Sequence, residues 1–349
     1  MESIITALTS FGMSSCVFHA PFIQQHAGFE FYAVLERTKN QAEKKYPRVI
    51  TFRNLDGLLA DDKIELVVVN TPNILHFEYA KKCLQAGKHV IVEKPFTVTV
   101  NESEYLAALA KEKKCYLSVF QNRRWDSDYL TVKEVIESGQ LGAIMEAEIH
   151  FDRYNKSLSP KGHKEVPVKG TGIIYDLGAH IIDQALQLFG LPQEVFADTL
   201  KQRTSSLVDD YMEILLLYPA MRVRLKGSTI VREPVPSFVI HGSKGSFLKN
   251  RGDVQEVDLQ KGKIPGSPGW GREDEKDAGL LHTESGGKII KERVPSLTGN
   301  YMAFYEGIYD SLRNQGKLPV TADEGTDVIR IIEAAYTSIA DRKIVSLFT

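Results

Sequence analysis

Two hydrophobic rhythms divide this chain. Over roughly the first 125 residues, short apolar runs alternate with helical stretches. The segments Ile4-Ile5-Thr6-Ala7-Leu8, Phe31-Tyr32-Ala33-Val34-Leu35 and Glu65-Leu66-Val67-Val68-Val69 read as strands. So do His89-Val90-Ile91-Val92 and Cys115-Tyr116-Leu117-Ser118-Val119-Phe120. Helices are predicted over 14–26, 73–86 and 101–114. Continuous apolar strands separated by helices imply a parallel sheet covered on both faces. After about residue 140 the rhythm changes. Ile144 to Phe151, Tyr211 to Leu217 and Met221 to Lys226 alternate apolar and polar positions. That period of two marks half-buried, mainly antiparallel strands. A helix over 173–189 interrupts them, and helices near 299–315 and 323–341 close the chain. The stretch 251–297, rich in Gly, Lys, Asp and Glu, reads as a long arm.

These patterns predict an α/β dinucleotide-binding domain over residues 1–122, onto which the last helix is free to pack back. A mixed α+β domain over 123–349 would carry one large, mainly antiparallel sheet. Composition narrows the picture. A net charge of −2 carries no electrostatic footprint for nucleic acid. Cys16, Cys83 and Cys115 are scattered without a CxxC pair, which suits a reducing compartment and argues against a zinc ribbon. No run approaches the ~20 apolar residues of a membrane span. No basic segment precedes the first strand in the manner of a signal peptide. The expected address is the cytoplasm, with no membrane partner.

Candidate chemistry gathers where predicted strands end. Ser10-Phe11-Gly12-Met13-Ser14-Ser15 lies between the first strand and first helix, where a Rossmann fingerprint would read G-x-G-x-x-G. Only the middle glycine is present, the one that lets backbone approach a pyrophosphate at a helix N-terminus. Glu36 and Arg37 end the second strand. A carboxylate there favours the ribose of NAD, and a guanidinium favours the 2′-phosphate of NADP. Arg37-Thr38 tips the reading to NADP, against the plainer alternative of a surface ion pair. Thr71-Pro72-Asn73, closing the strand 65–70, wraps the cofactor with His76 one turn into the following helix. Glu93-Lys94-Pro95 closes the strand 89–92, with Glu93 a candidate cofactor contact. A lysine there sits where open α/β sheets bind ligands and can stabilise a developing alkoxide.

On helix 173–189, Asp176, His180, Asp183 and Gln187 form one polar stripe on an otherwise apolar helix. It faces water or a polar cavity; a metal site on Asp176 and His180 lacks obvious further ligands. Gly170-Thr171-Gly172 before it could admit a ligand to the backbone. Asn122 could bond the nicotinamide ribose or carboxamide. Arg123, Tyr154 and Asp183 are candidates for substrate hydroxyls. Trp270 could stack on a ligand or pin the arm.

These residues resemble the Gfo/Idh/MocA family of NAD(P)-dependent oxidoreductases over nearly the whole chain. The marks are Glu93-Lys94-Pro95, Gly172-x3-Asp176-x3-His180-x2-Asp183, Thr71-Pro72-Asn73 and Ala86-Gly87-Lys88-His89-Val90. Asn122-Arg123-Arg124-Trp125-Asp126, Tyr175-Asp176-Leu177-Gly178 and Val320-Thr321-Ala322-Asp323-Glu324-Gly325 look most like the NADP-dependent scyllo-inositol dehydrogenase branch. The resemblance implies a catalytic set of Lys94, Asp176 and His180, with His180 as general base. It also implies a cis Lys94–Pro95 bond, a polyol or sugar substrate, and a homodimer or homotetramer associating through the open sheet.

Overall fold

The structure is a computed structural model describing residues 2–348. The chain divides into two compact units, one of 1–122 with 255–270 and 300–326, the other of 123–254 with 271–299 and 327–349.

The first unit holds six strands: β1 (Ile4–Leu8), β2 (Phe29–Leu35), β3 (Ile50–Phe52), β4 (Leu66–Val69), β5 (His89–Glu93) and β6 (Leu117–Phe120). They lie in the order β3-β2-β1-β4-β5-β6 and pair in parallel throughout. That is the doubly wound dinucleotide-binding order, with its switch point between β1 and β4. Leu66-Val67-Val68-Val69 is buried at every position, as a strand covered on both faces requires. The predicted strands are all present; β3, three residues long, had no pattern to announce it. The predicted helix 14–26 begins with a wide five-residue turn, Ser15–His19, before the regular helix Ala20–Gln25.

Residues 300–326 join this unit for a physical reason. Tyr305 stacks on Phe22 at 5.5 Å, Phe304 meets Phe120 edge-on at 4.8 Å, and Ser118 donates to the Val320 carbonyl. Trp270 is buried, 6.3 Å from Phe22, and donates to the Gln255 side chain at 3.2 Å. It pins its segment to the core.

The second unit holds β7 (Ile144–Asp152), β8 (Glu194–Leu200), β9 (Tyr211–Leu217), β10 (Arg222–Ser228), β11 (Phe238–Gly242), β12 (Gly245–Lys249), β13 (Gly279–Ser285), β14 (Lys288–Val294) and β15 (Val345–Ser346). Their order is β14-β13-β12-β11-β7-β10-β9-β8-β15. Only β7 and β10 run parallel. Ala147, Ile149 and Phe151 of β7 are buried, while Glu146 and Glu148 face the other way. The helix Ala179–Phe189, entered through a second wide turn at Ile174–Gly178, packs on this sheet. The expected arm 251–297 is corrected here: it contains the helix Gln255–Gln260 and the hairpin β13–β14, the latter paired into the sheet through β12. Its charged, Gly-rich residues sit on an edge hairpin whose one face is exposed, so its apolar pattern was too weak to read.

Candidate active site

In the first unit, a cavity of about 350 Å³ opens at the carboxyl ends of β1, β2 and β4. Its walls include Ser10, Phe11, Gly12, Glu36, Arg37, Thr38, Lys39, Thr71 and Pro72. The missing fingerprint glycines are replaced by a hydroxyl network. The Ser10 backbone N–H donates to the Asn70 side-chain oxygen at 3.0 Å, and the Ser10 hydroxyl to the Asn70 carbonyl at 3.0 Å. Ser15 donates to the Ser10 carbonyl and receives the Asn70 side-chain amide. Sequence reasoning missed Asn70; its signal was its place at the end of β4, opposite two serines. At Gly12, on the cavity wall, a Cβ would meet nothing within 4 Å. The loop therefore leaves backbone open toward the cavity, and the helix behind it begins at Met13 and Ser14. The Thr71 hydroxyl, on the cavity wall, is buried with no hydrogen-bond partner among the described residues. An open glycine face and an unsatisfied hydroxyl on one cavity fit an anionic dinucleotide.

Glu36 differs from its expected role. Its carboxylate accepts the backbone N–H groups of Gln41 at 3.1 Å and Ala42 at 2.9 Å, capping the short helix Gln41–Lys45. Arg37, next in line, is exposed on the cavity wall.

Glu93 and His76 are also turned into the protein. The Glu93 carboxylate accepts from His19 Nε2 at 3.0 Å and from the Lys94 backbone N–H at 3.1 Å. His19 reaches the Tyr305 hydroxyl through Nδ1 at 2.7 Å. Burial pushes the Glu93 carboxyl up, but the His19 hydrogen bond and charge, then Lys94 and His76, outweigh it and hold it below 4.5. His76 is buried with one ring nitrogen 2.8 Å from the Pro95 carbonyl and the other 2.9 Å from the Thr71 carbonyl. Burial lowers its pKa. It ties the loop after β4 to the turn after β5. The Lys94–Pro95 peptide is cis. Asn122 is buried at the start of the turn after β6. The Asn73 side chain accepts from the Ile74 backbone N–H.

In the second unit, the polar stripe is not uniform. Asp176, half exposed, receives the Lys164 ammonium on both oxygens at 3.0 Å. His180 is buried, its ring 6.2 Å from that of Phe151. Asp183 is gripped by Arg124, Nε to Oδ2 at 2.9 Å and Nη2 to Oδ1 at 2.6 Å. Such a bidentate pair fixes geometry, so Asp183 ties its helix to the 122–125 turn. Arg123 donates to Asp126 at 3.2 Å and lies over the Phe151 ring. Tyr154, 40% exposed, accepts from Arg232 at 2.6 Å and carries that guanidinium 4.2 Å above its ring. The hydrogen bond lowers the phenol pKa, with Lys156 adding to it. Gly172, at φ +93°, makes room for Asp209, whose carboxylate a Cβ would strike at 2.3 Å. Gly172, one of the two glycines expected to admit a ligand, thus serves close packing.

The chain matches two family models, "Oxidoreductase family, NAD-binding Rossmann fold" over residues 10–121 and "Oxidoreductase family, C-terminal alpha/beta domain" over 133–347. The chain belongs to the Gfo/Idh/MocA family. Like that family, it is a dinucleotide-dependent oxidoreductase. It is 38% identical over 99% of its length to scyllo-inositol 2-dehydrogenase (NADP(+)) IolW of Bacillus subtilis, covering 97% of that protein. It is 41% identical to an uncharacterised oxidoreductase of Schizosaccharomyces pombe, over 97% of this chain and 98% of the relative. A crystal structure of a Bacteroides fragilis protein, 46% identical, superposes with a TM-score of 0.90 over 99% of this chain and 100% of the other. Among the described residues, no group of three His, Cys, Asp or Glu could hold a metal ion, and no helix is long and apolar enough to cross a membrane.

Proposed function

We propose that this Gfo/Idh/MocA oxidoreductase oxidises a secondary alcohol of a cyclic polyol or sugar, with scyllo-inositol favoured and NADP as oxidant. The observation carrying the substrate class is the full-length likeness to an NADP-dependent scyllo-inositol dehydrogenase. The cofactor choice is supported by Glu36: its carboxylate is committed to two backbone amides, while Arg37 and Thr38 stand on the cavity wall. Ser10, Gly12, Met13 and Ser14 would hold the pyrophosphate, with Thr71, Pro72 and Asn73 flanking it and Asn122 toward the nicotinamide.

A bound NADP would supply the acceptor for the hydride that leaves the substrate carbon. His180 takes the proton of the hydroxyl on that carbon and returns it in the reverse direction. Lys94 stabilises negative charge as it develops on the same oxygen. Its own backbone is held by Glu93, which is fixed in turn by His19. Asp176, steadied by Lys164, orients the base or a neighbouring hydroxyl. Arg123 and Tyr154 are assigned to polyol hydroxyls. Three free thiols support a cytoplasmic address, and the family likeness supports a homodimer or homotetramer.

The test is reduction of NADP or NAD, followed by absorbance, over a panel of inositols and aldoses. Turnover of a cyclic polyol with NADP is expected. Turnover confined to acyclic alcohols, or to NAD, would overturn the corresponding half of the reading.

A further inference from the structure

The loop after β2 is held from behind by a residue that no motif marks. Arg53 is the first residue after β3. The parallel pairing of Leu35 with Phe52, and the Glu36 backbone N–H donating to the Phe52 carbonyl at 3.0 Å, bring it beside the exit of β2. Its guanidinium donates to the Glu36 carbonyl at 2.8 Å, the Lys39 carbonyl at 2.7 Å and the Asn40 side-chain oxygen. The Glu36 carboxylate, meanwhile, holds Gln41 and Ala42. Residues 36–40 are therefore clamped at both ends, and the middle of the clamp, Arg37, Thr38 and Lys39, lines the cavity. Three acceptors on one fork suit a planar guanidinium; a lysine ammonium could not reproduce that geometry.

We propose that Arg53 is a positioning residue for cofactor choice. By clamping 36–40 it presents Arg37, Thr38 and Lys39 as a preformed site for the ribose 2′-phosphate. A loop already ordered in its binding conformation loses little entropy when the phosphate arrives. A dinucleotide without that phosphate draws little from the loop and is indifferent to the clamp. The inference rests on the NADP reading above and names the residue that makes it work.

The test measures binding by calorimetry, using NADP, NAD, and the fragments 2′,5′-ADP and ADP as probes. Wild type should favour NADP over NAD, and 2′,5′-ADP over ADP, by about tenfold or more, and Arg37→Ala should erase that preference. Absence of the preference in wild type overturns the cofactor reading and the clamp together. With the preference established, Arg53→Ala should weaken NADP and 2′,5′-ADP about tenfold while NAD and ADP change less than about twofold. Arg53→Lys should recover only part of the loss. Asn40→Ala, which removes one acceptor and no charge, should shift NADP in the same direction by about two- to threefold. Equal losses for both cofactors in Arg53→Ala, or full recovery in Arg53→Lys, would overturn the clamp and leave the NADP reading standing.

Discussion

Glu36 and Glu93 occupy matching places in the first sheet. Each sits at the carboxyl end of a parallel strand, each is followed by a cation, and each is turned into the protein. Glu36 grips two backbone amides at the head of a short surface helix. Glu93 grips a buried histidine and the N–H of the lysine after it. In both, the carboxylate fixes the backbone from which the next cation, Arg37 or Lys94, reaches out. The difference lies in what stands behind. Glu36 shapes a loop on the cavity wall, whereas Glu93 links helix, strand and the Tyr305 segment behind the lysine.

Four measurements would break or sharpen that contrast. The largest effect is expected at the cations. Lys94→Ala should lower kcat by about a thousandfold with NADP binding nearly unchanged, and His180→Ala should behave likewise. Near-normal turnover in either variant would remove the role assigned to it. Next, Arg37→Ala should weaken NADP about tenfold or more while leaving turnover at saturating cofactor close to wild type, read by titration and by rate. Third, Glu93→Gln should cost about 2 kcal/mol in urea unfolding, because His19 loses a charged acceptor in a buried place. Its pH dependence follows from the sign of the shift. The Glu93 carboxyl is depressed in the fold, so its contribution is full above the usual 4.5 and is lost as pH falls through the lower folded value. Wild type should therefore lose more stability than Glu93→Gln in that acid window. Equal acid profiles would mean that the pair contributes nothing. The smallest effect is expected from Glu36→Gln: about 0.5–1 kcal/mol of stability through a weakened cap, and NAD affinity within about twofold. A tenfold loss of NAD affinity would return Glu36 to the ribose.

The strand ends carrying chemistry were legible because continuous apolar runs in a parallel sheet are hard to mistake, and ligand positions follow from where such runs stop. The direction in which side chains turn there was not legible. Glu36, Glu93, His76 and Asp183 all read as groups facing a ligand, and all four bond protein partners. Those partners lie between 1 and 74 residues away in sequence, and no local pattern links them. Asn70 and Arg53 escaped for a related reason. Each is an ordinary polar residue whose work depends on a neighbouring strand.

By itself, then, the amino-acid order determined the two rhythms, the parallel and antiparallel sheets they build, the position of Lys94 at a strand end and of His180 on an apolar helix, and the family to which these motifs belong. Periodicity and chain connectivity suffice for that, since they act over a few residues at a time. Only the tertiary structure decided which polar groups face the cavity and which brace it. A carboxylate has two oxygens and takes the nearest donors, and those donors are supplied by strands and helices that packing, not sequence distance, brings alongside.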